Sequence, residues 1–168
     1  QILSKEQVLR VITQFVNPRY RLVCWVSAYS GLRLKNVVHL KRSEVNLKDG
    51  WLNIESQGKT GKPVSIPITP ALRKVFELMK VWPLRDQDRF FPNVSEKPIS
   101  VQVGRAFKKA GIPWASFHHF RHFAACELIN NNVSLEVIRE FLGHSDIKST
   151  LVYARLRGEK LQEAVSGF

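Results

Sequence analysis

Between Phe117 and Tyr153 the chain gathers side chains that could handle a phosphate. His118 and Arg121 stand three apart, so on a helix they share one face and can grip one ligand together. His144 sits in a Gly-His-Ser turn just after an apolar helical run. Tyr153 follows, within reach if the chain folds back. The stretch as a whole reads as helix, turn, helix, turn, helix. A cation fork, two imidazoles and a phenol on a strongly basic chain suggest phosphate chemistry.

Several ways of doing that chemistry lack their residues. Metal-dependent hydrolysis needs clustered carboxylates for hard cations. The close pair Asp86-Gln87-Asp88 lies between Arg85 and Arg89 and reads as a salt-laced loop. Zinc has poor support, because Cys24 and Cys126 are far apart and His118, His119 and His122 lack paired thiols at finger spacing. Gly58-Lys59-Thr60-Gly61-Lys62 does not have the spacing of a phosphate-cradling glycine loop. Metal-free phosphoryl transfer remains. It needs fixed cations around the equatorial oxygens, best supplied by arginine, together with a nucleophile and a proton donor for the leaving oxygen. Tyrosine suits the nucleophile, since a phenolate forms more readily than an alkoxide and flanking arginines favour it further. A lysine on a mobile hairpin could protonate a leaving 5′-oxygen.

The composition agrees with an anionic partner. The 168 residues carry 26 Lys+Arg against 14 Asp+Glu, a formal charge of +12 spread along the chain. A basic folded domain of this kind points to nucleic acid, ahead of anionic membranes or acidic proteins. Cys24 and Cys126 fall in apolar helical segments, as in a reduced, intracellular protein, in the cytoplasm or nucleoid, or in the host cell if viral. No signal peptide, transmembrane run or lipidation signal is present, and no membrane association is expected. The length suits one domain, residues 1–168. The start at Gln1, directly before a helix, leads us to expect a fragment of a longer protein.

The elements that must position these groups are mainly helical. Ser4-Lys5-Glu6-Gln7 has the form of a capping box, followed by Val8, Val11, Ile12 and Phe15 at helical spacing and a stop at Asn17-Pro18. A second, very apolar helix from about Arg19 to Ser30 ends at Gly31 and should lie centrally in the core. Leu34 to Leu40 forms a short helix. The period then changes to two: Val45 and Leu47, Trp51 to Ile54, and Val64 to Ile68 read as three short strands. Lys48-Asp49-Gly50 and residues 58–63 form the turns between them. Thr69-Pro70 starts a helix that ends before Trp82-Pro83. Leu84 to Lys97 is loop-like, Ser100 to Ala110 is a helix closed by Gly111, and the tail from Ala154 to Phe168 permits one short helix. The expected fold class is α+β, a bundle of about seven helices with one small three-stranded antiparallel sheet.

Five pieces occur in order: Gly31-Leu32-Arg33 before a short apolar helix, Lys59-Thr60-Gly61 in a hairpin, His118-x-x-Arg121-His122, Leu142-Gly143-His144-Ser145, and Thr150-x-x-Tyr153. Together they resemble the catalytic domain of the tyrosine recombinase (phage integrase) family, over essentially the whole chain. The resemblance implies that fold and a set of roles. Arg33 and Arg121 would clamp the scissile phosphate. His118 would act as acid/base and phosphate ligand, and His144 would donate to a non-bridging oxygen. Lys59, with Lys62 as rival in the same hairpin, would protonate the departing 5′-hydroxyl. Tyr153 would attack phosphorus to form a 3′-phosphotyrosyl link, with neither metal nor cofactor. His119 and His122 fall outside the set, and His39, Tyr20 and Tyr29 carry no motif. The family usually has an acidic residue three after its first arginine, where this chain has Asn36; Phe120 replaces the commoner leucine.

The implied function is site-specific recombination or integration of double-stranded DNA. It would act as a homo-oligomer, a tetrameric synapse with contacts through the C-terminal tail, after an N-terminal core-binding domain absent from this sequence. Type IB topoisomerase-like relaxation and a DNA-binding module without catalysis are the alternatives.

Overall fold

Ser4 opens the first helix as its spacing to Gln7 predicts. The Ser4 hydroxyl accepts the Gln7 N–H at 3.2 Å and the Gln7 side chain accepts the Ser4 N–H at 2.9 Å, satisfying two donors that a helix start leaves open. In the computed structural model the described residues are 1–57, 62–80, 82–142 and 147–167, with backbone alone for 56, 57, 62, 147–151 and 153. This first helix, α1 (Lys5–Ile12), buries Val8, Val11 and Ile12.

Asn17-Pro18 both stops α1's chain direction and starts the next element. Asn17 caps α2 (Pro18–Ser30) by accepting the Arg19 N–H at 3.0 Å, and Pro18 takes the first helical position, where a missing N–H costs nothing. Val23, Cys24, Val26 and Ala28 are almost wholly buried, as the all-round apolar pattern of α2 requires. Burial pushes the Cys24 thiol far above its ordinary pKa. Gly31 ends the helix at φ 70°, a left-handed conformation that glycine adopts without Cβ strain.

Helix α3 (Leu34–Val38) and a short 3-10 turn (Arg42–Glu44) lead to the sheet. Its strands β1 (Val45–Asn46), β2 (Trp51–Gln57) and β3 (Lys62–Pro67) pair antiparallel in the order β1-β2-β3. The register sets Val45 opposite Leu52, and Leu52 opposite Ile66. One face therefore carries the buried Leu52, Ile54 and Ile66, while Trp51, Asn53, Glu55 and Ser65 are exposed, the period-two division of a half-buried sheet. Gly50 closes the first hairpin at φ 77°.

The next helices are α4 (Pro70–Met79), α5 (Glu96–Lys109), α6 (His118–Asn130), α7 (Leu135–Phe141) and α8 (Ile147–Val165). Eight α-helices are thus described beside one small antiparallel sheet, a mainly helical α+β fold. Two boundaries differ from the sequence-based expectation by more than a residue or two. Helix α5 begins at Glu96 rather than Ser100, because Pro98 falls in the first turn, where its lost N–H would be unpaired anyway. The C-terminal tail is no separate short helix: α8 runs unbroken through residue 153 to Val165. The loop around Asp86 and Asp88 is salt-laced as expected. Asp88 accepts the Arg85 N–H at 2.9 Å, and that bond, with the nearby guanidinium, holds its carboxyl below the usual range.

The chain divides into two compact units, residues 1–124 and 125–168. In the first, α2 packs against α1, α3 and α4, while α5 packs against α1 and α3. In the second, Ala125, Cys126, Ile129, Ile138 and Leu142 form a separate core with Leu156 of α8 packed on it. Burial raises the Cys126 thiol to about 11. Helix α8 is tied down within this unit by Arg157, which donates to the Val133 carbonyl, and Lys160, which donates to the Asn130 carbonyl at 2.8 Å. No helix among the described residues is long and apolar enough to cross a membrane.

Candidate active site

The turn that presents Arg33 is held from inside. The buried Ser27 hydroxyl donates to the Leu32 carbonyl at 3.0 Å, and the Ser30 hydroxyl accepts the Leu32 N–H at 3.1 Å. Gly31 reverses the chain between them, its N–H donating to the Ser27 carbonyl at 2.9 Å. Arg33 then stands in extended backbone at the cap of α3, half-buried. Fully buried hydroxyls bonded to the backbone make a stiff platform, because breaking either bond strands a polar atom away from water.

Helix α6 supplies the other half. Phe120 is completely buried, with its ring 5.4 Å from Phe107 and 5.5 Å from Phe117. These contacts fix the first turn of α6, so His118 and Arg121 meet the same space. Arg121 is only 7% exposed, and its Nη1 donates to the Gly31 carbonyl at 2.8 Å. A guanidinium from α6 is thereby fastened to the turn that carries Arg33. His118, exposed at the helix start, Arg33 and Arg121 all line one cleft of about 350 Å³. Two guanidinium groups and an imidazole around such a space suit an anion with several oxygens.

The neighbouring histidines are placed otherwise. His119 accepts the Ser116 N–H at Nδ1, 3.0 Å away, and burial holds its pKa below the ordinary imidazole value. Its ring meets Trp114 at 5.4 Å and His122 at 5.6 Å. His122 lies edge-on to His118, with ring centroids 4.6 Å apart. Neither lines the cleft. His39 bridges Arg89 and Glu96 at 2.9 and 3.3 Å on the surface.

Asn36 does not line the Arg33 cleft. It borders a second one of about 160 Å³ with His39, Lys41, Glu44 and Glu55. Glu44, buried, already places a carboxylate there, accepting the Lys41 and Glu55 N–H groups at 2.9 and 3.1 Å. Lys59 and His144 lie outside the described residues. Lys62 begins β3 and Tyr153 lies in α8, each described by its backbone alone. The cleft also contains residues that motif spacing did not single out: Lys35, Ser100 and Ser116. For Lys35 the signal was present, a cation two places after Arg33; for the serines there was none.

The turn yields a direct test. Gly31→Ala puts a Cβ into a left-handed conformation and is expected to lower stability by about 1–2 kcal/mol. Denaturant unfolding reads this as a shifted midpoint; an unchanged midpoint would mean the turn relaxes freely.

The phage integrase family matches residues 1–160. Among curated relatives, the tyrosine recombinase XerA of Pyrococcus furiosus is 30% identical, over 97% of this chain and 60% of its own length. XerA of Pyrococcus horikoshii is 26% identical, over 97% of this chain and 59% of its own. The chain thus spans about three-fifths of the length of these relatives. Among solved structures, a XerA recombinase superposes with a TM-score of 0.77 at 25% identity, covering 99% of this chain and 63% of that one. The catalytic domain of bacteriophage HP1 integrase gives 0.73 at 24% identity, covering 98% and 93%, a likeness of fold.

Proposed function

Because the chain belongs to the phage integrase family, we propose that it is the catalytic domain of a site-specific tyrosine recombinase. In this reading it cuts and rejoins double-stranded DNA through a 3′-phosphotyrosyl intermediate. The Tyr153 oxygen attacks the scissile phosphorus as its phenol proton passes to His118, and the bond to the 5′-oxygen breaks. Lys59 gives that oxygen its proton. Arg33 and Arg121 neutralise the non-bridging oxygens as charge gathers on them, His118 assists as acid/base and ligand, and His144 donates a further hydrogen bond. The phosphotyrosyl bond preserves the energy of the phosphodiester, so a 5′-hydroxyl from another strand can reverse the step. No metal or nucleotide is required by this balance.

The observation that carries the reading is the shared cleft. Arg33 and Arg121 come from distant parts of the sequence, meet with His118, and are tied together by the Arg121–Gly31 bond. The net charge of +12 supports a polyanionic partner. A solved lambda integrase dimer is bound to a COC′ core site, which supports DNA as the substrate and more than one copy on it; our reading extends this to a four-subunit synapse on double-stranded DNA. Leu161 and Val165, both more than half exposed on α8, offer an apolar face for a neighbouring protomer. Two buried, unpaired cysteines suit a reducing, intracellular setting. Residues 1–168 are in this reading one catalytic domain that works with an N-terminal DNA-binding domain, and the three-fifths of the relatives' length that the chain spans leaves room for one.

The test is a pool of nicked suicide duplexes with randomised cores. The protein is expected to capture a subset covalently, and mass spectrometry should place the DNA 3′-phosphate on Tyr153. No adduct from any duplex would overturn the reading. Relaxation of plasmids without joining of two captured sites would move it to a topoisomerase.

A further inference from the structure

We propose that Lys35, with Ser100 and Ser116, forms a second phosphate position in the Arg33–His118–Arg121 cleft and holds the backbone phosphate next to the scissile one. The inference rests on the reading of this cleft as the strand-cleavage site. It adds a residue that positions the strand rather than reacts with it.

Size is the first reason. The cleft holds about 350 Å³, roughly ten times the ~30 Å³ share of one water and within the range of pockets that enclose whole small molecules. Two arginines and a histidine around one phosphate leave much of it unfilled. A DNA strand brings a further phosphate about every 3.4 Å of helix axis, so the clamped phosphate necessarily arrives with charged neighbours.

Charge is the second. Lys35 is exposed in α3, two places after Arg33, and lines the same cleft. Among the described residues it has no carboxylate partner, and none of those that line the cleft is acidic. Asn36 brings no negative charge to that turn, and it borders the other cleft. An ammonium on a four-carbon stem, unneutralised beside two guanidinium groups, raises local repulsion unless an additional anion is there to offset it.

Chemistry is the third. Ser100 comes from α5 and Ser116 from the turn before α6, so the hydroxyls reach the cleft from two other elements. Serine hydroxyls and lysine are among the side chains that position a duplex through its phosphates without reading bases. Ser116 Oγ lies 3.3 Å from His119 Nδ1, which gives the hydroxyl a fixed neighbour on the rim. Lysine, a compact point charge, suits a flanking phosphate; the forked guanidinium groups suit the reacting one.

The test uses one captured duplex from the pool, with a neutral methylphosphonate placed in turn at each phosphate flanking the scissile one. Lys35→Met is expected to weaken duplex binding about tenfold at low salt and to flatten the slope of log affinity against log salt by about 0.9. Lys35→Arg should restore both. One methylphosphonate should reproduce the loss in the wild-type protein and add nothing to Lys35→Met. An unchanged salt slope, or losses that add at both flanking positions, overturns the proposal. If the wild type forms no adduct at all, the cleavage-site reading fails instead; the salt slope, measured then on a duplex selected from the pool by binding, still decides whether Lys35 meets a phosphate.

Discussion

Tyr153→Phe is expected to abolish the covalent adduct while leaving folding and duplex binding as they were. The substitution keeps the ring and removes one oxygen, so whatever the ring packs against is retained. Loss of a covalent nucleophile has no partial substitute, and adduct formation should fall by at least about 10⁴-fold. The other two tyrosines cannot replace it. Tyr20 is half-buried with its ring 6.0 Å from Phe15. Tyr29 sits between Trp25 at 4.8 Å and Phe123 at 5.9 Å. Gel-resolved adducts on the suicide duplex, with binding measured in parallel by fluorescence anisotropy, make the comparison. An adduct that survives the substitution would move the nucleophile elsewhere and undo the assignment of α8.

Serine and threonine cannot easily take over either, because an alkoxide is much harder to form than a phenolate, and water at that position would leave a free 3′-phosphate. A trace of hydrolysed, unlinked product from Tyr153→Phe therefore indicates an intact phosphate clamp. Its absence with normal binding indicates that no water is placed to attack in the ring's stead.

What the sequence made legible is what local rules control. The capping box at Ser4, the left-handed glycine at position 31, the Gly50 turn and the alternating strand faces all follow from interactions within a few residues. The exceptions are places where one residue serves two rules. Pro98 looks like a helix breaker but is harmless in the first turn of α5. Pro18 reads as a stop and is the start of α2. In α8 the motif ends at Tyr153, whereas hydrogen bonds from Arg157 to the α6–α7 connection and from Lys160 to the last residue of α6 hold the helix well beyond it. Of the site, Arg33, His118 and Arg121 were found by motif and do share a cleft. Their link could not be read: no spacing rule announces that a guanidinium will meet the carbonyl of Gly31, ninety positions earlier. The same holds for Asn36, whose side faces a different cleft from the arginine three places before it.

That hidden link makes Arg121 the second decisive position. Arg121→Ala is expected to reduce adduct formation by about 10³–10⁵-fold, the range for an arginine that stabilises a transferring phosphoryl group. It should also cost about 1–3 kcal/mol of stability, since the Gly31 carbonyl loses a buried donor. Those two effects must be separated, because a partly unfolded enzyme is also inactive. Arg121→Lys separates them. Lysine keeps the charge, but its compact ammonium cannot reach the Gly31 carbonyl and still present a planar fork to two phosphate oxygens. If the side chain works in the reaction, Arg121→Lys remains about 10²–10³-fold slow at a temperature where thermal unfolding shows it fully folded. If it serves only to brace the turn, the rate recovers in step with the melting temperature. Gly31→Ala supplies the calibration, since it strains the same turn while keeping the guanidinium. A variant that is as unstable as Arg121→Ala yet cleaves far faster shows that the lost rate belongs to the charge and its geometry rather than to the scaffold.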